Sequence, residues 1–371
     1  MDVIVVGAGL IGLASAYELA KRGARVRVLD AREPGRAASW AGAGLLTPHT
    51  EEMPSSVLET FAAESLARYP AFVQELRERG GVDARLALDG VLRVAYDDHE
   101  MDALSVRAAH LKTRGIRSRL LDRERLRSEE RAIGPDALGA LLLEDEGQVD
   151  NRRLARALHA ACAALGVHIE SGGGVEAIEV DPRRVRGVRT PHGFVAGSIV
   201  INAAGAWAGT LEGLPAHARV PTSPVKGQML ALGGSRAALR RALWVPGAYI
   251  VPRSDGRVLI GATVERAGFD VRVTAQGVHA LLNAALRAMP ALGDLAVTET
   301  WAGTRPGSAD GLPFIGATAL DGYFVAAGHY RYGIVCAPAT GQLIADAVEG
   351  RGSCVYADAF SPRRFAELLS A

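Results

Sequence analysis

MDVIVVGAGLIGLASAYELAKRGARVRVLD, residues 1–30, reads as strand, glycine turn, helix, strand and acidic stop. Residues 2–6 are mostly β-branched, a composition typical of a strand buried on both faces. Gly7, Gly9 and Gly12 then supply G-x-G-x-x-G. A side chain at the first would strain the tight turn, one at the second would block a pyrophosphate, and one at the third would hold the helix off the sheet. The helix that opens here directs its N-terminal N–H groups, and the positive end of its dipole, at the phosphates. Gly23 ends the helix and residues 25–29 alternate as a second strand. Asp30 closes that strand, placed to accept hydrogen bonds from ribose hydroxyls. In isolation the glycine motif is compatible with a purely structural turn. In this full β-α-β frame it predicts a dinucleotide site.

The remaining chain sets bounds. Its 371 residues exceed one ordinary hydrophobic core, so two domains are expected. With 49% apolar and 22% charged residues it is an ordinary globular composition. Net charge is +1, which gives no reason to expect nucleic acid or an anionic membrane. Lys21, Lys112 and Lys226 are the three lysines; the other 39 basic residues are arginines, so only position can make an arginine informative. Cys162, Cys336 and Cys354 are scattered, without zinc or disulfide spacing, and no metal site is expected. No apolar run approaches the ~20 residues that cross a bilayer. The N-terminus runs directly into the nucleotide strand, leaving no room for a signal peptide. The expected location is the cytoplasm.

Along the chain, the small-residue run 41–44 suggests close approach of backbone to something flat, with loop flexibility as the alternative. Helical patterns are expected over 51–80 and 99–114, and ALDG flanking VLRVAY over 86–96 suggests a hairpin. Asn151 is placed to cap a helix whose apolar positions run from Leu154 to Leu165. Residues 195–202 read as one strand ending in the small-residue run VINAAGAWAG, and 305–315 as a proline- and glycine-rich loop. Nucleotide-type and mixed sequence alternate. This implies a discontinuous nucleotide domain of 1–48, 148–212 and 303–371, with a second domain of 49–147 and 213–302. The cleft between them is the default ligand site.

At this point five segments, in order, resemble a known family: VVGAGLIG (5–12), SWAGAGLL (39–46), VINAAGAWAG (200–209), the pair YIVPR (249–253) and WAGTRPGSADGLPFIG (301–316), and AAGHYRYGIVCAPATG (326–341). The chain resembles FAD-dependent amine oxidases of the D-amino-acid oxidase superfamily, and within it the glycine oxidases used in thiamine biosynthesis. The fold implied is α/β, a Rossmann-like FAD-binding domain with a discontinuous α+β substrate domain built on an antiparallel sheet. By the same resemblance, Gly7, Gly9, Leu10, Ile11 and Gly12 would lie at the pyrophosphate and Asp30 and Ala31 at the adenosine ribose. Ser39, Ala43, Gly44 and Leu45 would lie along the pyrophosphate–flavin end, with Gly205 also at the cofactor and Val175 at the adenine. His329, Tyr330, Arg331, Tyr332, Gly333 and Ile334 would wrap the flavin ring. Cys336 is not where covalently flavinylated relatives attach FAD, which implies non-covalent binding.

The resemblance assigns substrate binding to Arg305, Tyr249 and Arg331. A guanidinium offers a carboxylate a planar two-pronged fork and stays charged when desolvated; the Tyr249 hydroxyl adds a donor. The plainer readings are a surface ion pair for Arg305, a half-buried strand tyrosine for Tyr249 and a capping group for Arg331. Trp207 and Trp301 read as core, and His329 as a backbone contact rather than a metal ligand or catalyst. No Asp, Glu or His stands out as a general base, and hydride transfer from a neutral amine to flavin N5 needs none, so no catalytic side chain is nominated. The implied reaction is oxidative deamination of glycine or small amino acids (sarcosine, small D-amino acids) to oxo acid, ammonia and hydrogen peroxide, with molecular oxygen as acceptor. Gly247 and Val264 replace a histidine and a methionine of the glycine oxidase pattern, which predicts a roomier pocket. Tyr330 and Tyr332 stand where phenylalanine and asparagine are expected. Three alternatives remain at this level. One is a D-amino-acid dehydrogenase with a non-oxygen acceptor, another a non-catalytic flavin-binding protein. The third, an NAD-dependent dehydrogenase, accounts for the first thirty residues alone. The oligomeric state, a homo-oligomer included, is left open.

Overall fold

A computed structural model of the chain describes residues 1–233, 239–351 and 354–365. The first strand, Asp2–Val6, sits in a six-stranded sheet ordered Phe314–Ala317, Tyr323–Ala327, Ile199–Asn202, Asp2–Val6, Arg25–Asp30, His168–Ser171. All neighbours are parallel except the outermost pair, Phe314–Ala317 with Tyr323–Ala327. The strand is buried on both faces for the reason its composition suggests. Val3 and Val5 pack under the helices Leu10–Lys21, Asn151–Ala164 and Gly333–Val348. Ile4 and Val6 pack against the three-stranded meander Ala177–Asp181, Arg184–Thr190 and Gly193–Ala196. The sheet's switch point, where ligands bind in open α/β sheets, opens beside the glycine turn.

The two insertions meet in one eight-stranded sheet: Ala296–Gly307, Ser223–Gly233, Val258–Gly261, Ala248–Pro252, Ala242–Val245, Val91–Ala95, Gly139–Leu143, Ser118–Asp122. It is antiparallel except where Ala242–Val245 pairs in parallel with Val91–Ala95, the seam between the insertions. The helix Ala275–Ala288 covers one face through Leu281, Ala285 and Ala288. Met229, Tyr249 and Trp301 point to the other face, where they meet Ala41 and Ala43 of the small-residue run. Small side chains there let the sheet lie close against the nucleotide half.

Several expectations are corrected. The hairpin over 86–96 does not form: Val91–Ala95 pairs with Ala242–Val245 and Gly139–Leu143, while Ala87 makes a lone bridge to Gln148. Long-range partners outcompete the local turn. The cap of Asn151–Ala164 is Asp150, whose carboxylate accepts the Arg153 N–H; the Asn151 amide instead donates to the carbonyls of Ser39 (2.7 Å) and Trp40 (3.2 Å). Residues 195–202 split between two sheets, as Gly193–Ala196 and Ile199–Asn202. Arg305 and Pro306 lie on the strand Ala296–Gly307 rather than in a loop; that strand is at a sheet edge, where a residue without an N–H is tolerated. In the expected domain stretches, residues 234–238, 352–353 and 366–371 lie outside the described residues. Among the described residues no helix is long and apolar enough to cross a membrane.

Candidate active site

A cleft with a cavity of about 390 Å³ runs from the glycine turn to the inner face of the large sheet. It falls in the range typical of small-molecule sites. Gly7 (φ +105°) makes the sharp turn out of the first strand, and a Cβ there would sit 2.5 Å from the Ala203 carbonyl oxygen. Of the residues expected at the cofactor, Gly7, Gly9, Leu10, Ile11, Asp30, Ala31, Ser39, Ala43, Gly44, Leu45, Val175 and Gly205 line the cleft, as do His329, Tyr330, Arg331, Tyr332, Gly333 and Ile334. Gly12 does not. It lies beneath the turn, and a Cβ there would come 1.9 Å from the Gly7 carbonyl oxygen. Its role is helix-to-turn packing.

The wall between the first helix and residues 203–206 is backbone and small side chains; at Gly205 a Cβ would meet nothing within 4 Å. An extended pyrophosphate fits such a trough. Amides in the first turn of a helix have no intrahelical acceptor and favour an anion there. Asp30 is fixed by two amides, Ala8 to Oδ2 (2.6 Å) and Arg32 to Oδ1 (2.8 Å), so its carboxylate is set at the strand end beside the turn. Ser39 Oγ accepts the Leu10 N–H at 2.9 Å. The Ser39 segment is clamped from outside. Half-buried Arg253 donates to Ala43 O (2.8 Å), Gln148 Oε1 (2.6 Å) and Asn151 Oδ1 (2.9 Å), and Trp301 Nε1 donates to Ala41 O at 2.9 Å. Trp301 is core, as expected. Trp207 is not: it lines the cleft, with Phe269 stacked on it at 5.0 Å and the Arg32 guanidinium 4.5 Å from its ring.

Arg305, Tyr249 and Arg331 converge on the sheet end of the cleft. Arg305 has no carboxylate partner among the described residues; Nη1 donates to the carbonyls of Thr263 (3.1 Å) and Lys226 (3.3 Å). The surface-pair reading of this arginine therefore fails. Gly227 makes its place: a Cβ there would fall 2.4–2.6 Å from the guanidinium atoms. Gly227→Ala is expected to displace the guanidinium without disturbing the strand, raising KM for a carboxylate substrate about tenfold, the worth of one charge-assisted hydrogen bond. Steady-state kinetics beside an unchanged melting midpoint test this.

Tyr249 is 9% exposed, and burial raises its pKa, so its hydroxyl stays a donor; it reaches the Met229 thioether, 3.7 Å away, and lies beside the Arg305 guanidinium, which opposes that rise. Arg331 differs from Arg305. It forms an ion pair with Glu51, and its guanidinium lies 5.4 Å from the Trp244 ring. Burial raises the pKa of Glu51 although Arg331 and Arg305 oppose it; burial would lower that of Arg331, but the adjoining Glu51 charge carries it upward. His329 is buried and held neutral, its pKa lowered by desolvation to about 3, with Nε2 3.0 Å from Thr340 Oγ1. Burial also pushes the Cys336 thiol up. Neither group is suited to proton or nucleophile chemistry near neutral pH.

Gly247 and Val264 are not where a roomier pocket requires them. Gly247 (φ +82°) turns the chain between Ala242–Val245 and Ala248–Pro252, on the Ala284 side of the sheet, and Val264 is 54% exposed. Neither lines the cleft, whose wall here is Met229, Trp244 and Tyr249. Tyr332 is buried and Tyr330 half-buried, both in that wall. Sequence reasoning missed Glu51, Gly227 and Trp244. Glu51 stands where the helical pattern over 51–80 is expected to begin, but the helix runs Ser56–Gly80 and Glu51 lies in the irregular segment before it; only its fold partner distinguishes it from Glu52.

That segment is held by a second buried acid. Glu146 accepts the amides of His49 and Thr50 and the Thr50 hydroxyl. Burial pushes its pKa up to about 7 against those bonds. A folded pKa above the unfolded one means that the Glu146 contribution to stability is full below about 4.5 and is lost as pH rises through about 7. The melting midpoint is expected to fall across this window, and Glu146→Gln should flatten that slope. An equal slope in both proteins removes Glu146 as its source.

The FAD dependent oxidoreductase (DAO) family model matches residues 2–347. The chain is 38% identical to the bifunctional protein ThiO/ThiG of Synechocystis over 98% of its own length, but it spans only 54% of that protein. It is 36% identical to the glycine oxidase of Pseudomonas aeruginosa, covering 97% of this chain and 98% of that one. The crystal structure of glycine oxidase from Geobacillus kaustophilus superposes with a TM-score of 0.92 at 36% identity, over 98% of both chains.

Proposed function

The chain belongs to the FAD dependent oxidoreductase (DAO) family, and on that premise we propose that it binds FAD non-covalently and oxidatively deaminates glycine or similarly small amino acids. It is an FAD-dependent amine oxidase enzyme of mixed α/β fold. The products of the proposed reaction are the oxo acid, ammonia and, with oxygen as acceptor, hydrogen peroxide.

The observation that carries the substrate reading is Arg305. A guanidinium without a carboxylate partner among the described residues, lining a cleft beside a protonated Tyr249 hydroxyl, is matched by a substrate carboxylate. The cofactor reading rests on the open backbone trough from Gly7 to Gly205 and on the Asp30 carboxylate at its end. In the proposed arrangement residues 7–11, Ser39 and 43–45 hold the pyrophosphate side. Asp30, Ala31 and Val175 hold the adenosine, and 329–334 the ring system. When bound, FAD supplies the two-electron acceptor for the hydride of the substrate α-carbon. The residues of the chain orient and exclude water. Arg305 and Tyr249 fix the carboxylate and thereby the α-carbon, while Trp244, Met229 and Tyr332 wall the amine end with apolar surface. We assign the described residues of 1–48, 148–212 and 303–371 to the cofactor half and those of 49–147 with 213–302 to the substrate half, with two exceptions: the helix Ser56–Gly80 packs into the core under the nucleotide sheet, and the strand Ala296–Gly307, Arg305 included, runs in the large sheet. A role supplying thiamine biosynthesis, in the cytoplasm, is the pathway this reading fits.

The test is an anaerobic titration of the purified yellow protein with glycine, sarcosine, D-alanine, D-proline and L-alanine, followed by air. Bleaching by glycine with rapid recolouring and peroxide release is the expected outcome. Bleaching that persists in air points to a dehydrogenase with another acceptor. No bleaching by any of them rejects the substrate reading.

A further inference from the structure

Two guanidinium groups, Arg305 and Arg331, face the sheet end of the cleft, yet they differ in what already engages them. Arg305 spends two hydrogen bonds, both through Nη1, on backbone carbonyls and has no acid partner among the described residues. Arg331 is engaged by the Glu51 carboxylate and by the Trp244 ring. The Glu51 side chain is only 13% exposed, so the pair sits where charge is weakly screened. The inner end of the cleft therefore offers one net positive charge, not two.

We propose that Glu51 sets the charge selectivity of the site: by neutralising Arg331 it restricts oxidation to amines that carry a single carboxylate. This rests on the reading of Arg305 as carboxylate anchor. A second carboxylate on the substrate would meet Glu51 itself, an anion of the same sign in a poorly screened setting, and would have to compete with it for Arg331. Without the Glu51 charge the same two arginines form a dicarboxylate site. Glu51 is a selectivity residue; nothing assigns it a proton in the reaction.

The closing experiment compares glycine with iminodiacetate, which is glycine bearing a second carboxymethyl group on nitrogen. Oxidation of iminodiacetate breaks one C–H bond, adds water to the resulting imine and then breaks the C–N bond. Two electrons pass by way of bound FAD to oxygen, so glycine, glyoxylate and hydrogen peroxide leave. In the holoenzyme the Glu51→Gln variant is expected to raise the kcat/KM ratio of iminodiacetate to glycine by at least about tenfold, chiefly through KM for iminodiacetate. Glu51→Asp, which keeps the charge, should stay near the wild-type ratio. In Glu51→Gln/Arg331→Met the gain should vanish. Parallel changes for both substrates in Glu51→Gln overturn the proposal, and so does a gain that survives loss of Arg331. Should Glu51→Gln fail to fold, the wild-type holoenzyme decides alone. Its flavin spectrum should report acetate binding at least as tight as malonate, and malonate binding tenfold tighter than acetate rejects a neutralised Arg331. Failure of the function itself looks different, because wild-type enzyme then would not be bleached by glycine at all.

Discussion

Arg305→Ala should lower kcat/KM for glycine by two to three powers of ten while the purified protein keeps close to its full complement of FAD. The size follows from what the guanidinium does. It is the cation at the sheet end of the cleft that has no ion-pair partner among the described residues, and its loss removes a two-pronged charge-assisted contact of about 3–4 kcal/mol. The loss should fall mainly on KM, because the carboxylate is bound in the ground state as in the transition state. Flavin content should hold because Arg305 lies on the strand Ala296–Gly307 of the large sheet, away from the glycine turn. Arg305→Lys should recover only part of the activity, since an ammonium cannot reproduce the planar fork. Unchanged kinetics on glycine would remove Arg305 from the substrate site. A colourless Arg305→Ala protein would mean that its role is to hold the cofactor half in place.

Gly12→Ala should abolish cofactor retention. The added Cβ falls 1.9 Å from the Gly7 carbonyl oxygen, a backbone atom that no side-chain rotation can move aside. Either the first helix shifts off the sheet or the glycine turn flattens, and both outcomes displace the trough from Gly7 to Gly205. Overpacking of a well-filled site costs about 1–3 kcal/mol, and a backbone overlap stands at or above the top of that range. The expected protein is pale, with a low flavin-to-protein absorbance ratio and a reduced melting midpoint. A fully yellow Gly12→Ala protein that melts normally would show that the helix can be spaced off the turn without consequence. Gly23→Ala is the useful control for glycine loss. A Cβ at Gly23 meets nothing within 4 Å, so that variant should keep its flavin and lose only what its positive φ of +85° demands.

The frame is legible in the first thirty residues. The β-branched run at 2–6, the spacing of Gly7, Gly9 and Gly12, and Asp30 at the end of the second strand are local signals. Each is read within thirty residues because strand period, turn sterics and helix start are all short-range physics. Segment order then carried the family, and with it a set of site residues that, Gly12 apart, all line the cleft, because those lie in contiguous turns at strand ends. The rest depends on residues far apart in the chain that meet in the folded molecule. Gly12 turns out to support the turn rather than line the cleft. The expected hairpin over 86–96 gives way to a strand shared between the two insertions. Trp207 moves from core to cleft, and Gly247 and Val264 leave it. Above all, Arg305 and Arg331 look alike as letters, and both line the same cleft. One has Glu51 as its ion-pair partner, 280 residues away in sequence, and the other has no carboxylate at ion-pair distance among the described residues. Charge compensation is a property of neighbours in space, and no pattern along the chain encodes it.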